Sequence, residues 1–169
     1  MIRVTEEPYD GPVAAALVTA LLADLNERYA HLELDLSEDE LAAADAEYLA
    51  EVTADIVSAP HGTFVVAWLD GVAVGCGALK PLRAPDVAEI KRMYTLPEAR
   101  RRGISRALLA RLESIAAELG YRRIQLETGT EQPEAMALYE SHGWERIEPY
   151  GRYKDEPSSV CYAKDVGRG

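Results

Sequence analysis

Two strongly apolar stretches joined by a two-residue turn constrain the fold of this chain more than any other feature. Residues 63–69 read TFVVAWL, residues 72–79 read VAVGCGAL, and Asp70-Gly71 stands between them. Asp-Gly accepts the positive φ angles of a type I′ turn, which joins two antiparallel strands through a two-residue loop. The pattern therefore predicts an antiparallel pair of strands, so this part of the chain belongs to a sheet.

Helical and strand-like segments surround this hairpin in a mixed order. A strand at 2–5 precedes a helix that starts near Pro12, and a capping box formed by Ser37 and Glu40 opens a second helix that runs through Ile56. Further strands are predicted at 87–95, 123–128, 144–147 and 160–164, with helices at 104–119 and from Pro133 to the residue before Gly143. The order β, α, α, β, β, β, α, β, α, β, β predicts an α+β or mixed α/β domain built on one sheet.

Length and composition are those of one folded, water-facing domain. The chain has 169 residues, of which 48% are hydrophobic and 28% charged, so it is long enough for one core and we expect one domain over 1–169. The longest nearly apolar run is interrupted by Asp70 and by glycines, and no secretory signal is visible, which predicts a cytoplasmic protein without a membrane span. Cys76 and Cys161 lie in apolar segments without a CxxC pattern, so we expect two buried thiols and neither a metal site nor a disulfide.

Charge is distributed unevenly along the chain. The net charge is −11; residues 1–86 hold 16 acidic and 4 basic residues, whereas residues 87–169 hold 13 and 14. The acidic excess argues against a nucleic-acid binder. Within the second half, residues 91–106 contain six basic residues but only one acid, Glu98. The basic residues are Lys91, Arg92, Arg100, Arg101, Arg102 and Arg106. Lys91 and Arg92 either attract an anionic cofactor or are exposed strand residues, and we favour the second interpretation.

The segment 96–109, LPEARRRGISRALL, places arginines around Gly103 at the junction of a strand and a helix. A helix N-terminus already carries positive potential, so cations there are unfavourable by about 0.3–1 kcal/mol each unless an anion offsets them. Gly103 also lets the backbone approach a ligand closely, and neighbouring amides then suit a phosphate or diphosphate. A solvated basic turn is the open alternative. The segment has neither the Gly-Lys-Ser/Thr of a P-loop nor a GxGxxG pattern.

Arg100-x-x-Gly103-x-Ser105 resembles the Arg/Gln-x-x-Gly-x-Gly/Ala signature of the GNAT superfamily of acyl-CoA-dependent N-acyltransferases, and the element order of the whole chain is similar to that family. The resemblance implies one mixed, mostly antiparallel sheet of six to seven strands flanked by about four helices. It implies acetyl-CoA as co-substrate, with the diphosphate at the turn and the pantetheine arm on the preceding strand. Ser105 and Gln132 depart from the family's usual Gly/Ala and Asn. The implied cofactor residues are Met93, Tyr94, Thr95, Arg100, Arg101, Arg102, Gly103, Ile104, Ser105, Arg106 and Gln132.

The resemblance also assigns catalytic roles. Tyr139 occupies the family's general-acid position, and a phenol with a pKa of about 10 is protonated at neutral pH as an acid should be. Glu89 lies where several GNAT enzymes carry the carboxylate that accepts the amine proton. The residues alone favour Tyr139 as a core aromatic on an apolar helical stripe, and they leave open whether Glu89 is this base or a strand-surface acid that pairs with Lys91.

The acceptor is predicted from charge. Both N-terminal helices are acidic on their outer faces, which would concentrate a small cationic amine, although the same acids also serve solubility. Tyr150 and Tyr153, in the loop before the last strand, are candidates to line the acceptor site. We therefore predict an N-acetyltransferase that works by direct ternary-complex transfer, without a metal. The alternative is a non-catalytic acyl-CoA sensor or interaction protein of the same fold, and assembly into a homodimer stays open.

Overall fold

Seven strands form one sheet in the computed structural model, which describes residues 1–167. The strands are β1 (Ile2–Glu6), β2 (Thr63–Leu69), β3 (Val72–Pro81), β4 (Val87–Thr95), β5 (Arg123–Gly129), β6 (Glu145–Ile147) and β7 (Ser159–Asp165). The same residues contain four α-helices, which are α1 (Pro12–Tyr29), α2 (Glu38–Ala50), α3 (Ile104–Glu118) and α4 (Pro133–Ser141), and two 3₁₀ turns at Ala30–Leu32 and Pro97–Ala99.

The sheet has the strand order β1-β2-β3-β4-β5-β7-β6, and β4 with β5 is its one parallel pair within residues 1–167. The predicted α+β class with a mixed, mostly antiparallel sheet is thus confirmed. The hairpin between β2 and β3 turns at Asp70 and Gly71, whose φ angles are +50° and +85°, as a type I′ turn requires.

The parallel pair separates partway along its length. Residues Val87–Ile90 of β4 pair with Arg123–Leu126 of β5. Beyond these pairs, β4 continues to Thr95 and β5 to Gly129. On its other side, β4 stays paired with β3 as far as Thr95. The two strands therefore diverge into an open wedge whose apex lies at Ile90 and Leu126.

Each face of the sheet carries an apolar layer. Helix α3 packs on one face through side chains such as Leu108 and Leu112, and α4 adds Tyr139 to the same cluster. Helix α1 covers the opposite face, where Leu17 and Leu21 pack against Phe64. The wedge between β4 and β5 is consequently open toward both layers.

Helix α2 ends earlier than the sequence predicted. It was expected to run through Ile56, but its last residue is Ala50. The carbonyls of Tyr48 and Leu49 accept hydrogen bonds from the amides of Glu51 and Val52, three residues on, and each also accepts one from the Arg92 guanidinium, at 2.7 and 3.3 Å, which caps this last turn. The helix stops there, and Val52 turns into the core instead.

Two further predictions concern the state of the two cysteines and the presence of a membrane-spanning helix. Cys76 and Cys161 are both free and buried, as expected, and burial raises the pKa of the Cys76 thiol to about 12. Over residues 1–167, no helix is long and apolar enough to cross a bilayer.

Candidate active site

A cavity of about 540 Å³ opens where β4 and β5 diverge. The apex residues Ile90 and Leu126 line it, and so do Tyr139 from the α3–α4 layer and Leu21 from the α1 layer. The cavity is therefore reached from both faces of the sheet. A ligand in the wedge can meet chemical groups from one layer while a second molecule approaches from the other.

An irregularity in β4 shapes this cavity. Ala78 pairs with Lys91 and Cys76 with Tyr94, so the single residue Gly77 faces both Arg92 and Met93, which makes a β-bulge. Arg92 has a φ of +60°, a left-handed conformation that costs a non-glycine residue about 1–3 kcal/mol. Strain of this kind persists only where the surrounding structure holds it in place.

The bulge also corrects one sequence interpretation. Lys91 and Arg92 were favoured as exposed strand residues, but Lys91 is half-buried and Arg92 is only 3% exposed. Strict alternation would put the two side chains on opposite faces of the sheet. The extra residue instead keeps both of them on the face covered by α1 and α2, because Lys91 contacts Glu51 and Arg92 contacts Tyr48.

The Arg-Gly turn places two residues in the left-handed region. Arg101 has a φ of +63° and Gly103 a φ of +85°, and Gly103 is the N-cap of α3. Within residues 1–167, no side chain caps the first turn of this helix. The Ser105 hydroxyl lies 3.0 Å from that of Thr95, which ties the helix start to the end of β4. The first-turn amides of α3 are therefore available to an anion.

The arginines of this turn differ in their surroundings. The Arg100 guanidinium donates to the Thr95 carbonyl and forms an ion pair with Asp24 of α1 at 2.9 Å. Its charge is thus partly balanced within the protein, and it joins α1 to the turn. Arg101, Arg102 and Arg106 are exposed, so their charges face solvent around the helix start.

Tyr139 is buried at the edge of the cavity. Its ring lies 5.7 Å, centroid to centroid, from the rings of both Trp144 and Tyr162, and 4% of the residue is exposed. Burial, together with the neighbouring Tyr162, holds the pKa of the Tyr139 phenol well above its usual value. The side chain is therefore both a core aromatic and a protonated hydroxyl at the wall of the cavity.

Glu89 is buried in a polar cluster next to the wedge. The Tyr150 hydroxyl donates to one carboxylate oxygen at 2.6 Å, and the Lys91 and Lys80 ammonium groups lie 3.8 and 4.0 Å from the other. Burial and the charge of Glu89 raise the pKa of Tyr150 far above its usual value, so this phenol stays a hydrogen-bond donor. Glu89 is not among the described residues that line the cavity.

A model of the acetyltransferase (GNAT) family matches residues 25–144 of the chain. The chain belongs to the GNAT family. An IAA acetyltransferase from Azospirillum brasilense is 35% identical over 134 residues, which cover 79% of this chain and 86% of that protein. An N-acetyltransferase of Bacillus subtilis, YsnE, is 38% identical over 110 residues, 63% of this chain and 72% of the relative. The protein is accordingly an acyltransferase of the N-acetyltransferase class.

Solved structures agree in fold. A Klebsiella pneumoniae protein assigned to the acyl-CoA N-acyltransferases superposes with a TM-score of 0.73 at 28% identity and covers 98% of both chains. The PaiA N-acetyltransferase of Thermoplasma acidophilum, solved in complex with coenzyme A, gives a TM-score of 0.69 at 18% identity, with 98% of this chain and 99% of that one covered. The second likeness concerns the GNAT fold alone.

The GNAT-like site residues predicted from the sequence fall into two groups. Met93, Gln132 and Tyr139 line the cavity together. The Arg-Gly turn, from Arg100 to Arg106, lies outside its lining, at the end of β4 and the start of α3, as do Tyr94 and Thr95. Gln132 donates to the Tyr29 hydroxyl at 3.3 Å, which joins the start of α4 to the end of α1. Of the two loop tyrosines, Tyr153 lines the cavity and Tyr150 holds Glu89.

Sequence reasoning missed Glu127 at this GNAT site. It lies on β5 beyond the last pair with β4, lines the cavity and accepts a hydrogen bond from Ser159 at 3.1 Å. Burial raises the pKa of Glu127, although Lys91 and Ser159 oppose that shift. Burial lowers the pKa of Lys91, but Glu89 and Glu51 outweigh it and leave that pKa above its usual value. Only the diverging register brings Glu127 to the cavity, and no local sequence signal encodes it.

Proposed function

We propose that residues 1–169 act as one N-acetyltransferase domain that moves the acetyl group of acetyl-CoA to a primary amine in a single ternary complex. The observation that carries this proposal is the wedge between β4 and β5, whose cavity Met93 and Tyr139 both line, together with the uncapped helix start at Gly103 that follows β4 along the chain. A cytoplasmic location and a homodimer remain predictions from the sequence.

The donor is proposed to lie along β4. Its diphosphate binds the first-turn amides of α3 at Gly103, Ile104 and Ser105, helped by the exposed arginines of the turn. Its pantetheine arm follows the edge of β4 at 93–95, which lacks a paired strand on the β5 side within the described residues. Unpaired strand edges offer amides and carbonyls to a ligand in the way they would to another strand. The thioester then reaches the cavity near Tyr139.

The transfer itself needs few groups. The neutral amine nitrogen attacks the thioester carbonyl, a C–N bond forms, and the C–S bond breaks as the tetrahedral intermediate collapses. A backbone amide near Tyr94 is proposed to stabilise the oxyanion. Tyr139 donates its proton to the departing sulfur; because a thiolate formed in the same buried space is also poorly solvated, it too is more basic there. Cys76, buried on the α1 side with a raised pKa, is unsuited to carry a covalent intermediate.

Two carboxylates compete for the role of base. Glu89 has the position that the family resemblance gives, but it is held by Tyr150 and flanked by two lysines. Glu127 lines the cavity, and burial raises its pKa, which makes this carboxylate a stronger proton acceptor than an exposed one. We propose Glu89 as the final proton acceptor, and Glu127 is the second candidate on the strength of its contact with the cavity.

The charges around the cavity support an amine acceptor. Among the described lining residues, five acids outnumber three bases; they are Glu33, Asp35, Asp45, Glu127 and Glu156 against Lys91, Arg92 and Arg152. Such an excess raises the local concentration of a small cationic amine. The acceptor is proposed to enter between α1, α2 and the loop before β7.

Thiol release from acetyl-CoA across a panel of primary amines tests the proposal. Tyr139→Phe is expected to lower turnover by at least about 100-fold, the usual contribution of a general acid, while coenzyme A affinity is retained. Tyr162→Phe is the matched control: this buried tyrosine touches the Tyr139 ring, but its hydroxyl donates to Glu140 at 2.7 Å. The control should keep its turnover and lose about 0.5–1.5 kcal/mol of stability.

Two results would contradict the proposal. Equal turnover in the wild type and in Tyr139→Phe would remove the assigned acid. Coenzyme A binding without thiol release on any amine would instead favour an acyl-CoA sensor of the same fold.

A further inference from the structure

The guanidinium of Arg92 is a buried cation with no acidic partner. It donates through Nη2 to the Tyr48 and Leu49 carbonyls and through Nε to the Tyr9 hydroxyl at 3.3 Å, and it stacks 4.0 Å from the centre of the Tyr48 ring. All of these partners are uncharged. No ion pair formed among residues 1–167 includes Arg92, and its Nη1 is buried without a hydrogen-bond partner.

The two other cations that line the cavity, Lys91 and Arg152, do have acidic partners. Lys91 forms an ion pair with Glu51 at 2.8 Å and lies 3.8 Å from Glu89. Arg152, the third cation at the cavity, pairs with Glu47 and Glu51. Buried charges in proteins are normally paired, because an isolated one loses its hydration without compensation. Arg92 alone among these three cations therefore has its charge available to an anion from outside the chain.

The position of Arg92 points that charge to a ligand. The residue lines the cavity, and the strained bulge keeps it on the acceptor side rather than on the side of α3. Tyr48 and Leu49, which hold it, belong to the last turn of α2, a helix with no fully buried side chain. For a ligand to reach the buried Nη1, this end of the helix must move aside.

The remaining lining describes the rest of such a ligand. The cavity is also lined by acids, which include Glu127, and by apolar side chains, among them Leu21, Leu22, Leu25, Leu32 and Leu36. A molecule that matches all three features carries an amine, a carboxylate and an apolar group. Resting on the proposed function, we infer that Arg92 binds a carboxylate of the acceptor, which is therefore a zwitterionic, amino-acid-like amine rather than a simple polyamine.

Matched acceptors test this inference on the wild-type protein. Leucine, phenylalanine and methionine are compared with their amides and with the corresponding amines that lack the carboxylate, by thiol release from acetyl-CoA. We expect kcat/KM to be at least about ten-fold higher for the amino acids, mainly through KM, because a carboxylate contact is present in both ground and transition states. Equal values for acid and amide would overturn the inference and leave the proposed function intact.

Two variants assign the preference to one residue. Arg92→Gln is expected to abolish the difference between acid and amide, and Arg92→Lys to retain part of it. Arg152→Gln makes the same change of charge at the same cavity, but at an exposed residue that already has two acidic partners, so it should retain the full preference. An undiminished preference in Arg92→Gln would refute the assignment and leave the arginine as a cap of α2.

Binding separates this inference from the question of turnover. Calorimetry with coenzyme A present compares N-acetyl-leucine, which keeps the carboxylate, with N-acetyl-leucinamide. We expect the acid to bind at least about ten-fold more tightly to the wild type and no more tightly than the amide to Arg92→Gln. Thiol release absent with every amine would overturn the proposed function, whereas equal binding of the two acetylated compounds would overturn the role of Arg92.

Discussion

Replacement of Gly103 by alanine tests where the coenzyme A diphosphate binds. Gly103 has a φ of +85°, and a Cβ built there would meet only Ile2 Cδ1, at 3.9 Å. The variant therefore introduces no clash, and its cost is that of a left-handed backbone, about 1–2 kcal/mol. For a protein of this size the melting temperature should fall by about 2–8 °C.

Gly120 offers a matched control at the other end of the same helix. It follows the C-cap of α3 with a φ of +90°, and a Cβ there would have no neighbour within 4 Å. Gly120→Ala should thus lose the same stability as Gly103→Ala. Only the N-terminal glycine lies at the proposed diphosphate site, where a Cβ would occupy the approach path or turn the amides away from it. Coenzyme A affinity should fall by at least about ten-fold, or 1.4 kcal/mol, in Gly103→Ala and stay unchanged in Gly120→Ala.

Calorimetry gives the affinities, and thermal unfolding with and without coenzyme A checks them independently. At a ligand concentration of about 100 Kd, binding stabilises the wild type by about 2.7 kcal/mol, and a ten-fold loss of affinity removes about half of this. Equal affinity in the two glycine variants would mean that the diphosphate binds elsewhere. It would also favour the alternative interpretation, in which the arginine-rich turn is a solvated loop without a ligand.

Two other changes address charge. Arg102→Glu, at an exposed arginine of the turn, should weaken coenzyme A binding more at low salt than at high salt. The same charge reversal at the exposed Arg122, beyond the far end of α3, should leave coenzyme A binding unchanged. Calorimetry at two ionic strengths tests both expectations. Burial raises the folded-state pKa of Glu127, so its charged form is disfavoured in the folded protein. Glu127→Gln should therefore be more stable than the wild type at pH 7. The gain should shrink as the pH falls through the folded-state pKa and be absent below the unfolded value of about 4, and urea unfolding that shows no gain at pH 7 would contradict the assignment.

Local signals explain why much of the fold was predictable. Asp70-Gly71 specifies its turn through two positive φ angles, and Ser37 with Glu40 forms the capping box that opens α2. The glycine at 103 likewise marks the start of α3. Each of these features depends on residues within one or two turns of chain, which a sequence displays directly.

The features that were missed depend on distant residues. Helix α2 ends at Ala50, where a guanidinium more than forty positions away donates to the carbonyls of its last turn. Glu127 reaches the cavity only because β5 diverges from β4 after Leu126. Arg92 was placed on the surface because regular alternation does not foresee a bulge. In each case, the tertiary contact decides the outcome and the local pattern does not.

The bulge and the divergence of β4 from β5 occur within two residues of each other. Pairing with β5 stops after Ile90, and the extra residue in β4 comes at Arg92. The bulge turns Met93 toward α3 and Arg92 toward α1 and α2, and the free edge on which we propose that the donor lies begins just before it. A regular strand would send Arg92 into the apolar layer under α3. The strained backbone at Arg92 thus keeps this unpaired cation on the side from which we propose that the acceptor enters.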